Sequence, residues 1–173
     1  MPAVSIASNA FMAALGEQVR IEEERLAAEK VVIDLRLTDV FDPVDLAATL
    51  DQIGNIYDGV AVVALDHPRV KEAINSLADR GVTVVTLVSD VPGSKRAHYV
   101  GIDNAAAGRT AASLMGRYLA GRAGKVGLIA GSLSLRDHIE RQFGFEQVML
   151  HDFPNLSVLP VRDGLPKFKD MPK

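Results

Sequence analysis

Two apolar runs with no helical period constrain the fold most: Gly59-Val60-Ala61-Val62-Val63-Ala64-Leu65 and Val82-Thr83-Val84-Val85-Thr86-Leu87-Val88. A strand with one wet face alternates apolar and polar residues. These runs are nearly continuous, so they predict strands covered on both faces, as parallel strands are. The intervening segments repeat at helical spacing. Phe11, Leu15, Val19 and Leu26 predict a helix from Ala10 to about Ala28, with Glu22, Glu23, Glu24 and Arg25 on its wet side, followed by a strand over Val31 to Leu35. Asp42-Pro43 starts a second helix by supplying an acidic cap and a proline in the first turn. Val44, Leu46, Ala47, Leu50 and Ile53 form its buried face, and Gly54-Asn55 closes it. A third helix begins at Asp66-His67-Pro68, runs to Arg80 and stops at Gly81.

The pattern continues through a turn at Pro92-Gly93 and a strand over His98 to Ile102. The next helix, Asn104 to Ala120, carries Ala105, Ala106, Gly108, Ala111 and Ala112, small residues that predict close approach to a neighbouring sheet. A strand over Lys125 to Ala130, a loop over Gly131 to Leu135, a helix from Arg136 to about Leu150 and a strand over Leu156 to Val161 follow. Strands separated by helices of this length form βαβ units, so the expected class is α/β with mostly parallel sheets.

Several function classes are disfavoured at once. A net charge of −3 leaves no basic footprint for gripping nucleic acid. The absence of cysteine removes disulfides, thiolate catalysis and thiolate metal sites. Nowhere do 18 uncharged apolar residues run together, and Met1 to Ala10 has no cationic, apolar leader, so neither membrane insertion nor export is expected and the predicted location is cytoplasmic. Gly121, Gly124-Lys125 and Gly127 miss the phosphate-loop spacing, and no G-x-G-x-x-G follows a strand. The four histidines, His67, His98, His138 and His151, lack metal-ligand spacing. Gly131-Ser132-Leu133-Ser134 is not a nucleophile elbow and reads as a helix-capping serine loop. No cofactor, no metal and no catalytic set is expected.

What remains is a series of polar residues at strand-to-helix junctions. Asn9 precedes a helix, Asp66 and Asp90 follow strands, and Arg136, Asp137 and Arg141 begin the helix after Gly131. In a parallel sheet such junctions share one edge and converge on a cleft. Carboxylates, an amide and guanidinium forks suit adjacent hydroxyls, and Phe11 suits the apolar face of a sugar ring. Asn9 and Asp66 fit equally well as N-caps, and Arg136 and Arg141 as a solvated helix surface. Asp90 precedes no obvious helix and has less need to cap.

The series Asn9-Ala10-Phe11-Met12, Asp58-Gly59-Val60-Ala61-Val62, Arg80-Gly81-Val82-Thr83-Val84-Val85, Val100-Gly101-Ile102-Asp103-Asn104 with Gly108-Arg109, and Arg141-Gln142-Phe143-Gly144-Phe145 resembles the effector-binding core of the lactose-repressor (LacI) family of bacterial regulators. It also resembles the related periplasmic sugar-binding proteins. The resemblance runs in order from about Asn9 to Met149. It implies two Rossmann-like lobes, over residues 1–102 and 103–173, with a sugar or related metabolite bound between them. Carried over, the ligand positions fall on Asn9 and Phe11, on Asp66, on Asp90, and on Arg141 with Arg136 or Asp137, while Asp103 orders the crossover. The resemblance further implies an allosteric homodimer that meets DNA only through a head absent from this chain. The departures are a missing helix-turn-helix before Asn9 and a tail, Leu165 to Lys173, with two prolines and no element pattern. The expected second lobe is therefore incomplete, and the chain is expected to be a fragment or the product of a shortened gene. An uptake receptor is the alternative reading.

Overall fold

Every strand pairing among the described residues is parallel, as the apolar runs require. The computed structural model describes residues 10–36, 38–39, 41–53 and 56–163. Helix α1 (Ala10–Leu26) comes first, and α2 (Pro43–Ile53) and β1 (Gly59–Val62) follow. Helix α3 (Pro68–Asp79), β2 (Thr83–Leu87) and β3 (His98–Val100) complete the first lobe, whose sheet has the order β1-β2-β3. Two caps hold the helices where the sequence places them. Asp42 accepts the Val44 and Asp45 N–H groups at 2.9 and 3.1 Å. His67, rather than Asp66, caps α3, its Nδ1 accepting the Arg69 N–H at 3.2 Å. That leaves the Asp66 carboxylate available for other partners.

Leu46 and Leu50 of α2, Val70, Ile74 and Leu77 of α3, and Val62 and Val84 of the strands form one core. Each such side chain contributes roughly 1.5–3 kcal/mol when fully removed from water. The opposite side of the sheet is different. Thr83, Val85 and Leu87 face α1 across a cavity of about 570 Å³, and no residue of α1 from Phe11 onward is buried. The strand expected over Val31 to Leu35 does not form. That segment borders the same cavity, and among the described residues no strand lies beside it, whereas a ladder needs one. Its end is held instead by Tyr57 Oη, which donates to Asp34 and accepts from Arg36 at 2.8 Å. The expected closure at Gly54-Asn55 lies outside the described residues.

The second lobe contains α4 (Asn104–Leu119), β4 (Gly124–Val126), β5 (Ile129–Ala130), α5 (Arg136–Asp152), β6 (Leu156–Val158) and β7 (Arg162–Asp163). Its core is separate, built from Ala112, Val126, Phe145, Met149 and Leu156. Lys125 to Ala130 and Leu156 to Val161 each read as one strand in sequence, yet both are interrupted. Val126 pairs with Val158 while Ile129 pairs with Arg162, so two residues on one side face three on the other. Pro160 lies among the three and has no N–H to give a ladder, which accounts for the bulge-like offset.

The small residues of α4 admit a helix rather than a sheet, correcting the expectation. A Cβ on Gly108 would stand 2.0 Å from the Arg141 carbonyl oxygen, and one on Gly144 would stand 2.1 Å from that of Ala105. Glycines on both helices thus permit backbone-to-backbone contact between α4 and α5. Asp103 caps α4 by accepting the Ala106 N–H at 2.8 Å, in keeping with its ordering of the crossover. The serine loop is a turn and not a helix cap: Ser132 Oγ accepts the Ser134 N–H at 3.2 Å, while Leu135 flanks α5 without a capping side chain.

Candidate ligand-binding site between the lobes

The loop after β1 and the first turn of α5 meet. Arg136 Nη1 donates to Asp66 Oδ2 at 3.1 Å, joining residues 70 positions apart, and its Nε donates to Glu140 Oε1 at 2.8 Å. Burial weakens the Arg136 charge, but the Asp66 and Glu140 carboxylates outweigh it and raise the guanidinium pKa further. The three groups line a cavity of about 280 Å³ together with Ser134, Ile139 and Phe143. Phe143 and Ile139 are exposed, so the cavity offers an apolar wall beside two carboxylates and a guanidinium. This combination matches a polyhydroxylated ring, which has hydroxyls in its plane and C–H groups on its faces.

Of the positions singled out in sequence, the structure brings Asp66 and Arg136 into one site. Asp137 and Arg141 lie on the same helix but turn elsewhere. Asp137 is buried, with Oδ2 at 3.6 Å from Arg141 Nη1 and 3.5 Å from His138 Nε2. Its Oδ1 is buried with no hydrogen-bond partner among the described residues. Arg141 is partly exposed and forms that longer ion pair. Phe11 stands exposed in the first turn of α1. Asn9 lies outside the described residues.

Asp90 follows β2 as expected, and its oxygens are engaged within the first lobe. It accepts Thr86 Oγ1 at 2.7 Å, the Val91 N–H at 2.8 Å and both Nε and Nη2 of Arg96, the latter at 2.6 Å. Burial pushes its carboxyl pKa up, but the hydrogen bonds from Arg96, Thr86 and Val91 prevail and hold it below the usual carboxylate range. The approach to Asp90 is strained. Val88 has φ +64°, and the Ser89 N–H bonds back to Leu87 O at 2.6 Å, a tight reversal that a β-branched residue rarely adopts. Tyr99 Oη donates to Val88 O at 2.9 Å and accepts from Asn104 Nδ2 at 3.4 Å, tying this turn to the start of α4. Gly101 makes room, since a Cβ there would fall 2.1 Å from the Tyr99 hydroxyl.

Glu140 and Ile139 escaped the reading of the sequence, which named Ser134 only in a helix-capping loop and Phe143 only in the family series. A signal was present: Arg136, Glu140 and Phe143 recur at i, i+4, i+7 and so share one helix face. Asn104, 2% exposed, was missed because a residue following a capping aspartate looks like an ordinary first helical position.

The sequence model of the periplasmic binding protein domain family matches residues 3–167. The chain belongs to this family. No curated protein sequence is similar to it. Among solved structures, a protein described as the XylFII molecule shares 24% identity at a TM-score of 0.76, over 92% of this chain and 58% of that one. A sugar-binding protein of a sugar ABC transporter from Bacillus halodurans shares 28% at 0.71, over 85% and 50%. A solute-binding protein of an ABC transporter from Burkholderia graminis, solved with D-arabinose, shares 26% at 0.72, over 80% and 48%. The chain thus spans about half the length of these relatives.

Proposed function

We propose that this chain binds a sugar or related polyol between its lobes, as the effector-sensing part of a LacI-type transcription regulator. The observation that carries the ligand reading is the Asp66–Arg136 pair with Glu140 and Phe143 beside it, a charged and aromatic wall shared by both lobes. The sugar-binding descriptions of the matched structures support the same ligand class. Asp66 and Glu140 accept from hydroxyls, Arg136 donates to them, and Phe143 covers a ring face. Asp90 and Phe11 stand as further candidate contacts from the first lobe. Ligand that prefers one spacing of the lobes shifts the population toward it, and paired DNA-binding heads on a homodimer would report that shift.

The regulator reading draws on the ordered series of residues shared with the LacI family. A second reading, a receptor for an ABC uptake system, is favoured by the descriptions of the similar structures. Calorimetric titration of the full-length gene product with D-arabinose, other pentoses, hexoses and myo-inositol tests the ligand class. Saturable binding that is lost in Arg136→Met is expected; no binding to any of them overturns the reading. Sequencing the gene around this segment separates regulator from receptor. A helix-turn-helix head supports the first, and an export leader refutes it in favour of the second.

A further inference from the structure

The charge of the cavity between the lobes narrows the kind of ligand it can take. Its lining holds two carboxylates, Asp66 and Glu140, against one guanidinium, Arg136, while Ser134, Ile139 and Phe143 carry no charge. Arg136 already donates from Nη1 to Asp66 Oδ2 and from Nε to Glu140 Oε1. Among the described residues, Asp66 Oδ1 and Glu140 Oε2 have no hydrogen-bond partner. Both side chains are more than a third exposed, so these oxygens keep lone pairs for a ligand. The surroundings do not reverse the balance. Buried Asp137 is met by Arg141, and Asp90 by Arg96, so each pair is neutral. His67 and His138 each accept a backbone N–H at Nδ1, the role of an uncharged ring. The positive end of α5 is offset by Asp137 in its first turn.

We propose that the preferred ligand is a cationic polyol, an amino sugar, whose ammonium donates to the free oxygens of Asp66 and Glu140. This rests on the reading of the cleft as a sugar site and adds the sign of the ligand's charge. A cavity of about 280 Å³ has room for a single sugar ring. Hydroxyls elsewhere on that ring accept from the remaining Arg136 N–H groups, and Phe143 covers its apolar face. A sugar acid or sugar phosphate would set a further anion against the two carboxylates, with no guanidinium whose charge is not already balanced. Like charges placed together in this way select strongly against the wrong partner. An uncharged sugar meets neither the repulsion nor the added attraction, so the three classes should bind in the order amino sugar, neutral sugar, acid.

Calorimetric titration of the full-length gene product at about pH 7, where amines are mostly protonated and carboxylic acids ionised, tests this with two matched sets. One is D-galactosamine, D-galactose and D-galacturonate; the other is D-glucosamine, D-glucose and D-glucuronate. In at least one set the amino sugar should bind about 10-fold tighter than the neutral sugar and the acid about 100-fold weaker, values kept modest because both carboxylates are partly exposed. Raising salt from about 0.05 to about 0.5 M should narrow the amino sugar's advantage and leave the neutral sugar's affinity unchanged. Glu140→Gln should cut the ratio of amino-sugar to neutral-sugar affinity about 10-fold, a readout that a general loss of binding does not move. An amino sugar no tighter than its neutral parent, or an acid bound as well as that parent, overturns the charge selection and leaves the sugar site standing. An advantage unmoved by both salt and Glu140→Gln also overturns it. Binding of none of these compounds overturns the sugar reading itself, and this inference with it.

Discussion

Replacing Gly144 by alanine tests one of the two closest backbone approaches between α4 and α5. The added Cβ would stand 2.1 Å from Ala105 O and 2.9 Å from its carbonyl carbon, both backbone atoms in α4. No rotamer change can relieve this, so α5 must move about 1 Å away from α4 to reach ordinary van der Waals separation. Overpacking of this kind costs about 1–3 kcal/mol, and rigid backbone on both sides puts this site at the upper end. Alanine returns up to about 1 kcal/mol through helix propensity. The net expectation is a loss of about 1–2 kcal/mol, or roughly 2–8 °C in melting temperature for a chain of this size. Calorimetric melting of Gly144→Ala, of Gly108→Ala and of the double variant measures it. The double variant should lose less than the sum, because one separation of the helices accommodates both methyl groups. Gly16→Ala provides the control: its Cβ would meet only Leu35 Cδ2, at 3.8 Å, so propensity should raise stability by up to about 1 kcal/mol. Equal stabilisation at Gly16 and Gly144 would refute the close packing of α4 on α5.

Three further outcomes follow from the site and its surroundings. Asp66→Asn should change stability by less than about 1 kcal/mol, since both partners of the Arg136 pair are more than a third exposed, yet weaken sugar binding about 10- to 100-fold; unchanged affinity removes Asp66 from the site. Asp90 has a folded-state pKa below its unfolded value, so the unfolded chain binds the extra proton. Its stabilisation is therefore present above about pH 4 and lost as pH falls through the lowered value, and acid titration of Asp90→Asn should show a shallower loss there than wild type. Val88→Gly relieves a positive φ and should stay within about 1 kcal/mol of wild type in urea melts, whereas Val84→Gly, at 1% exposure in the core, should cost several kcal/mol.

How much was legible in the sequence depended on how local the determining force is. Continuous apolar runs and the caps at Asp42 and Asp103 act within a few residues, so β1, β2 and the starts of α2 and α4 could be read directly. Val31 to Leu35 has strand composition but depends on a neighbour, and the break at Pro160 shows how one missing N–H divides an apolar run. At the site, Asp66 and Arg136 were legible as junction residues; their pairing was not.

Sequence by itself determined the α/β class, the order of most elements and the family series, because burial on both faces and helix periodicity are written in residue spacing. Tertiary structure alone decided that small residues in α4 meet a helix, that His67 frees Asp66 by capping α3, and that Asp66 reaches across 70 positions to Arg136. These depend on which surfaces are brought together, and packing between distant segments leaves no local period to read.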